Sequence, residues 1–233
     1  MLILSIDTSG QSGGITLAEG DGESFRVIES AVIAGGTFSA QLIPTLAALL
    51  KNRGHGVEDL DGFAVASGPG SFTGLRVGLS AMKGLAEILQ RPIAVVSLLE
   101  ALATQAAAQG TIAAALDASR NEVFLGLYTV SGGNTVMLEE KLRSGEEFVS
   151  TMRNASPAAL VTSDVRIAEL ASGFNTPVRQ VSRPSTELIA KLGLKKLLSG
   201  ETVGVEELDA NYIRRSDAEV AFSKPAGSEV PRT

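Results

Sequence analysis

The sequence contains no cysteine and no tryptophan, and its single histidine is His55. Without cysteine the chain can form neither a disulfide nor a thiolate metal site, and it has no cysteine nucleophile. One histidine cannot supply the paired imidazoles on which zinc hydrolases depend, so a metalloprotease mechanism lacks its ligands. Aromatic residues make up 4% of the chain, and surfaces that stack nucleic-acid bases are correspondingly scarce.

Basic residues are fewer than acidic ones, and long apolar runs are absent from the sequence. The chain carries 20 Lys and Arg against 26 Asp and Glu, a formal net charge of −6. Surfaces that follow a phosphate backbone are normally basic, so if the protein works on RNA we expect it to do so only indirectly, through a partner. No apolar stretch reaches the ~18 residues of a membrane span, and Asp7 interrupts the apolar N-terminal run. We therefore expect a buried first strand rather than a signal peptide, and a cytoplasmic protein without membrane contact.

The most informative segment is the glycine-rich run at residues 68–74, Gly-Pro-Gly-Ser-Phe-Thr-Gly. It follows an apolar strand predicted at 62–66 and opens a helix predicted from Ser71 or Phe72 to about Gln90. Glycines in such a turn permit backbone conformations that other residues avoid, and free amides then point outward at the positive end of the helix. The geometry suits an anion or a close-packed neighbour.

The pattern of elements indicates an internal duplication. Three strands, a helix, a strand, a helix, a strand and a helix are predicted in the first half, and the order restarts near residue 110. The turn sequence at 6–9, Ile-Asp-Thr-Ser, is echoed at 116–119 by Leu-Asp-Ala-Ser. We predict an α/β fold built from two copies of one βββαβα unit. The predicted domains are an N-terminal lobe at 1–109, a C-terminal lobe at 110–215 and a flexible tail at 216–233.

The helix after the glycine-rich run has two apolar stripes rather than one. The first stripe contains Leu75, Leu79 and Met82, and the second contains Val77 and Ala81. A helix on the surface of one sheet needs a single apolar face. The second stripe indicates either packing against a neighbouring helix of the same layer or an exposed patch that binds a partner, and the sequence alone leaves both open.

Four polar residues are candidates for chemistry. Asp7 and Asp117 follow equivalent strands, where a carboxylate pair could position a metal-bound nucleotide across a cleft or simply accept backbone N–H bonds within its own turn. Ser71 and Thr73 lack a histidine or cysteine partner, which favours turn and N-capping roles over nucleophilic ones.

The segment at 66–78 closely resembles the signature of the TsaB (YeaZ) family, bacterial proteins of tRNA threonylcarbamoyladenosine biosynthesis often described as glycoprotease-like. The segments at 2–9 and 92–102 are also similar to family segments. The resemblance implies an actin-like, sugar-kinase-like (ribonuclease H-like) fold of two lobes. It implies a non-catalytic scaffold that binds and activates a TsaD-type catalytic subunit, with a TsaE-type ATPase in the same complex. A homodimer is expected when the partner is absent.

The resemblance also assigns roles to residues. The predicted partner or dimer interface comprises Leu42, Leu46, Ser71, Phe72, Thr73, Gly74, Leu75, Gly78, Leu79 and Met82. The predicted vestigial nucleotide cleft comprises Asp7, Thr8, Ser9 and Asp117. No catalytic residue, no metal and no cofactor are expected on the isolated chain, while ATP or ADP with Mg²⁺ is expected only in the complex. The chain departs from the family pattern at Phe38, Ser119 and Ala210. The alternative is an independent nucleotide-dependent enzyme of the small-molecule kinase type that uses the cleft between the lobes.

Overall fold

The computed structural model describes residues 1–208. The predicted tail at 216–233, the end of the predicted second lobe and Ala210 lie outside the described residues.

The first half of the chain forms a five-stranded mixed sheet. Its strand order is β3-β2-β1-β4-β5, with β1 antiparallel to β2 and parallel to β4. A 3₁₀ turn at Val57–Asp59 precedes β4. The elements are β1 (Leu2–Asp7), β2 (Ser12–Gly20), β3 (Phe25–Ala34), α1 (Phe38–Asn52), β4 (Gly62–Gly68), α2 (Phe72–Leu89), β5 (Ile93–Ser97) and α3 (Leu98–Thr104).

The second half repeats this plan, with the strand order β10-β9-β6-β7-β8. Here β6 is antiparallel to β7 and parallel to β9, as β1 is to β2 and β4. The elements are β6 (Gly110–Asp117), β7 (Glu122–Ser131), β8 (Asn134–Ser144), α4 (Gly145–Ala155), β9 (Ala159–Thr162), α5 (Val165–Leu170), β10 (Val178–Gln180) and α6 (Thr186–Ser199). The equivalent order and pairing confirm the predicted α/β class and the duplication.

Alternation along the central strands directs side chains to both faces of the first sheet. Leu4 and Ile6 on β1 pack in the core cluster that includes side chains of α1 and α2. Ile3, their neighbour on the same strand, packs in a separate cluster with side chains of α6. Because helices cover both faces, β1 is apolar along most of its length, as expected of a strand in the middle of a layered α/β sheet.

The last helix of each unit packs on the sheet of the other unit. Side chains of α3 share a core cluster with Ile112 and Tyr128 of the second sheet. The α6 helix lies on the first sheet, where a Cβ at Gly193 would overlap the methyl group of Ala64. An ion pair joins the two exchanged helices, with Lys196 Nζ 2.8 Å from Glu100 Oε2. The predicted boundary at residue 109 stays a prediction, and side-chain packing crosses it in both directions.

The α3 helix ends earlier than the sequence suggests. Its alanine-rich pattern predicts a helix to about Ala108, whereas the helix ends at Thr104. Ala107 has a positive φ of 45°, and the preceding Ala106 is fully buried. A positive φ is incompatible with a right-handed helix, so Ala107 cannot continue α3 despite the helix propensity of alanine.

A capping box opens α4. Ser144 caps α4 by accepting a hydrogen bond from the Glu147 N–H, and the Glu147 carboxylate accepts one from the Ser144 N–H, the reciprocal pair of a capping box. Within residues 1–208, no helix has both the length and the apolar character required to span a bilayer.

Candidate partner-binding surface and interlobe cleft

The glycine-rich segment packs directly on the turn that follows β1. The Ser71 N–H donates to the Ser9 carbonyl at 2.7 Å, and the Thr8 hydroxyl donates to the Gly74 carbonyl at 2.7 Å. A Cβ at Gly70 would lie 2.5 Å from the Ser9 carbonyl oxygen, and one at Gly74 would overlap the Thr8 carbonyl. The close approach of two backbone segments therefore explains these glycines. Of the two roles considered from the sequence, an anion site or a close-packed neighbour, this is the second.

Ser71 has the capping role predicted for it. Its side chain accepts a hydrogen bond from the Gly74 N–H at 3.3 Å, at the start of α2. Thr73 is exposed in the same turn.

Asp7 is buried and held within its own turn. Its carboxylate accepts hydrogen bonds from the Ser9 N–H, at 2.8 Å, and from the Ser9 hydroxyl. Arg183, in the segment between β10 and α6, completes the arrangement: its Nη2 donates to Ser9 Oγ at 2.7 Å, and its Nε lies 4.0 Å from Asp7 Oδ2. Sequence reasoning missed Arg183, because no basic residue is close to Asp7 along the chain and only the fold brings the two together.

Asp117 occupies the equivalent turn of the second unit and is also engaged. It accepts a hydrogen bond from the Ser119 N–H at 2.8 Å and forms an ion pair with Arg166. Its backbone N–H donates to Asp164 Oδ2 at 2.6 Å. Ser119, one of the departures from the family pattern, has a left-handed φ of 61° in this turn. Both candidate carboxylates thus carry the turn-capping role, each beside an arginine.

A cavity of about 860 Å³ lies beside the first of these turns. It is lined by residues of the β1–β2 turn, the starts of α1 and α2, and two residues of the second unit: Ser9, Gly10, Gln11, Ser12, Gly35, Gly36, Phe38, Ser39, Ser71, Thr73, Gly74, Val77, Asp164 and Arg183. Of the predicted cleft residues within residues 1–208, Ser9 lines this cavity and Asp7, Thr8 and Asp117 do not. Hydroxyl groups, backbone amides and one guanidinium make the cavity suited to a polar molecule.

The two apolar stripes of α2 differ in burial. The stripe that contains Leu75, Leu79 and Met82 lies in the core against the sheet. The stripe that contains Val77 and Ala81 is partly exposed. Val77 and Ala81 pack in part against the same core, and a partner-binding role for their exposed surface stays a prediction.

Most residues of the predicted interface set are buried in the isolated chain. Leu42, Leu46, Leu75, Leu79 and Met82 belong to the core, and Gly78 packs against Thr8. Ser71 and Thr73 are exposed and Phe72 is partly exposed. An interface role stays a prediction for the whole set.

A groove of about 540 Å³ lies between α1 and α2 and is open to the surface. We call it the helix groove. It is lined by Phe38, Ser39, Leu42, Ile43, Phe72, Thr73, Arg76, Val77, Ser80 and Ala81. Ile43 is 50% exposed, and the Arg76 guanidinium lies 3.7 Å above the centre of the Phe72 ring, a cation–π contact. The groove therefore combines apolar side chains with the positive charge of Arg76 in its lining.

Metal-ligating residues are not grouped in the described part of the chain. Among residues 1–208, no three His, Asp or Glu side chains come together as a metal site. His55 lies in the loop after α1, with Nδ1 3.6 Å from Asp59 Oδ2. The expectation that the isolated chain binds neither a metal nor a nucleotide stays a prediction.

The chain is similar to known proteins in both sequence and structure. The sequence model of the family described as "TsaD: tRNA N6-adenosine threonylcarbamoyltransferase" matches residues 32–221. The tRNA threonylcarbamoyladenosine biosynthesis protein TsaB of Bacillus subtilis is 30% identical over 95% of this chain and 98% of its own length, and that of Haemophilus influenzae is 26% identical over 98% and 99%. The structure of YeaZ from Pseudomonas aeruginosa superposes with a TM-score of 0.74 at 26% identity, covering 91% of this chain and 99% of that one. The chain belongs to the TsaB (YeaZ) family.

Proposed function

We propose that this chain is a non-catalytic subunit of the machinery that places a threonylcarbamoyl group on the adenosine beside the tRNA anticodon. In this proposal it binds and activates a TsaD-type catalytic subunit. The names of the related TsaB proteins, which assign them to threonylcarbamoyladenosine biosynthesis, support the pathway. The helix groove is the observation that carries the scaffold role.

The groove supports a partner because it leaves apolar side chains in water at the junction of two helices. Ile43 of α1 and Val77 and Ala81 of α2 line it. Exposed apolar surface at a groove is typical of a protein-binding site, and a large guanidinium such as that of Arg76 is a frequent anchor in interfaces. When TsaD is absent, the same surface would serve a homodimer, so the two assemblies compete.

The state of the candidate carboxylates supports a non-catalytic role. Asp7 is capped by Ser9 and faces Arg183, while Asp117 is paired with Arg166. Oδ1 of each carboxylate accepts two hydrogen bonds, and the neighbouring arginine supplies the positive charge that a metal ion would otherwise bring. We propose that ATP or ADP with Mg²⁺ and a TsaE-type ATPase join only in the assembled complex, and that tRNA is contacted through TsaD.

The test is co-purification with the TsaD homologue of the same organism, followed by measurement of the mass of the complex. Ile43→Glu and Ala81→Glu place a charge in the helix groove and are expected to abolish the heterodimer. Met137→Glu is the matched control, because Met137 is an exposed apolar residue on β8 of the second unit and lies outside the groove lining. A wild-type chain that fails to associate with TsaD, or a complex that survives both groove variants, contradicts the proposal.

The cavity beside the β1–β2 turn favours one alternative, an independent nucleotide-dependent enzyme. Its volume is sufficient for a small-molecule ligand, and Arg183 at its wall could meet a phosphate. Calorimetry of the isolated chain with ATP and Mg²⁺ separates the two functions. Binding followed by turnover that Asp7→Asn abolishes supports the enzyme, and absence of binding removes its basis.

A further inference from the structure

Arg183 connects the second unit to the first turn of the chain. It lies between β10 and α6, yet its Nη2 donates to Ser9 Oγ at 2.7 Å. Its Nε lies 4.0 Å from the buried Asp7 carboxylate, and 3.2 Å from where a Cβ at Gly10 would lie. One guanidinium therefore binds Ser9 and forms an ion pair with Asp7 in the same turn.

The same turn supports the start of α2. Ser9 accepts a hydrogen bond from the Ser71 N–H through its carbonyl, and Thr8 donates to the Gly74 carbonyl. Arg183 and Ser71 thus both bind Ser9, Arg183 through the hydroxyl group and Ser71 through the backbone carbonyl. Residues linked in this way can bias one another's arrangement without touching a shared ligand.

The start of α2 also lies at the helix groove. Phe72 and Thr73 line the groove and directly follow Ser71. A small rotation of this first turn would move the Phe72 ring, together with the Arg76 guanidinium above it. The position of the groove residues therefore depends on how firmly the β1–β2 turn is held.

We propose that Arg183 is a positioning residue that couples the second unit to the partner surface. By fixing Ser9 it holds the first turn of α2 in the orientation that the partner binds. This inference rests on the proposed function, since the partner is the TsaD-type subunit. Arg183 itself lines the cavity rather than the helix groove, so its effect on partner affinity passes through Ser9 and Ser71.

The second unit supplies a matched control. Arg166 pairs with Asp117 on the equivalent turn, and its side chain is 41% exposed against 37% for Arg183. Neither Arg166 nor Asp117 lines the groove. Replacing either arginine removes one cation from one carboxylate, but only Arg183 is linked to α2. A general loss of stability would weaken partner binding in variants of both arginines. A loss of positioning would weaken it only in variants of Arg183.

The experiment measures TsaD affinity by calorimetry for the full-length wild type, Arg183→Gln, Arg183→Lys and Arg166→Gln. We expect Arg183→Gln to weaken binding about tenfold, within the range known for residues that act through others. Arg183→Lys keeps a cation and a donor and should recover most of the affinity, and Arg166→Gln should bind like the wild type. Hydrogen exchange on the free chain should show faster exchange at residues 71–75 in Arg183→Gln alone.

Three results would overturn the inference. They are wild-type affinity in Arg183→Gln, an equal loss in Arg166→Gln, and unchanged exchange at residues 71–75. Failure of the wild type to bind TsaD is a different result, because it contradicts the proposed function. The exchange measurement needs no partner and still decides whether Arg183 holds the start of α2.

Discussion

Gly78 of α2 lies against Thr8, and a Cβ at residue 78 would overlap the Thr8 hydroxyl. That hydroxyl is the group that donates to the Gly74 carbonyl one helical turn earlier. Two glycines spaced four residues apart thus let the helix backbone sit directly on the β1–β2 turn. Because Gly74 and Gly78 have no Cβ, α2 can approach the turn after the first strand more closely than any other residue pair would permit.

Gly78→Ala should therefore destabilise the protein, although alanine is the better helix former. Overpacking of this kind costs about 1–3 kcal/mol, since the clash is with a buried side chain that is itself hydrogen-bonded. Gly84→Ala is the control on the same helix, because a Cβ at Gly84 meets nothing within 4 Å. It should stabilise by about 0.5–1 kcal/mol. Urea unfolding measures both, and a neutral Gly78→Ala would contradict the packing.

Truncating a buried and an exposed side chain of α2 should change the stability of the protein by very different amounts. Met82 is fully buried and Ile88 is 80% exposed. Met82→Ala should cost about 2–5 kcal/mol in the free energy of unfolding, while Ile88→Ala should change it by less than about 0.5 kcal/mol. Thermal and urea unfolding of the isolated chain give the comparison. Similar losses at both positions would mean that the outer stripe is buried in solution, as in a stable homodimer.

The ion pair between the exchanged helices predicts a dependence of stability on pH. Burial raises the pKa of Glu100, even though Lys196 beside it lowers the pKa, and Glu100 together with Glu201 raises the pKa of Lys196. Lys196→Met leaves Glu100 half-enclosed without its cation, and breaking such a pair costs about 3 kcal/mol at neutral pH.

The sign follows from the direction of the Glu100 shift. A carboxyl whose folded pKa lies above its unfolded value stabilises the folded state in acid, and this stability is lost as the pH rises through the folded pKa. In Lys196→Met that pKa rises further, so the deficit should shrink as the pH falls from 8 toward the unfolded value of about 4.3. Unfolding free energies measured across this pH range test the prediction. The double variant Glu100→Gln/Lys196→Met is the control, because without the Glu100 carboxyl its deficit should not depend on pH. A constant deficit would contradict the argument.

The capping box of α4 gives a local prediction. Ser144→Ala removes the acceptor for the Glu147 N–H and should cost about 1 kcal/mol. Ser150→Ala on the same helix is the control, because Ser150 is an exposed interior position where alanine is at least as good a helix former. Equal effects of the two changes, measured by urea unfolding, would show that the cap contributes nothing.

Most of the fold could be predicted because its determinants are local. The apolar strand before the glycine-rich run and the glycine-rich start of α2 are each specified within a few residues. The repeated Asp7 and Asp117 turns revealed the duplication, because each closes an equivalent strand.

The rest depended on contacts between distant segments. The two stripes of α2 have the same period and similar side chains, so the sequence could not say which one faces the sheet, and core residues such as Leu79 were assigned to the interface. Arg183 reaches Ser9 only because α6 returns to the first sheet. The end of α3 at Thr104 is likewise not visible in its alanine-rich sequence, because helix propensity is a weak guide to where a helix stops.

The return of α6 to the first sheet also has a consequence during synthesis of the chain. The sheet face that carries Ile3, Ala18 and Ala94 is translated early, whereas Ala190 and Leu194, which cover it, are translated much later. A nascent chain therefore exposes an apolar sheet face until α6 leaves the ribosome. Premature termination before α6 leaves that face uncovered for good, and such products should be targets for chaperones and proteases.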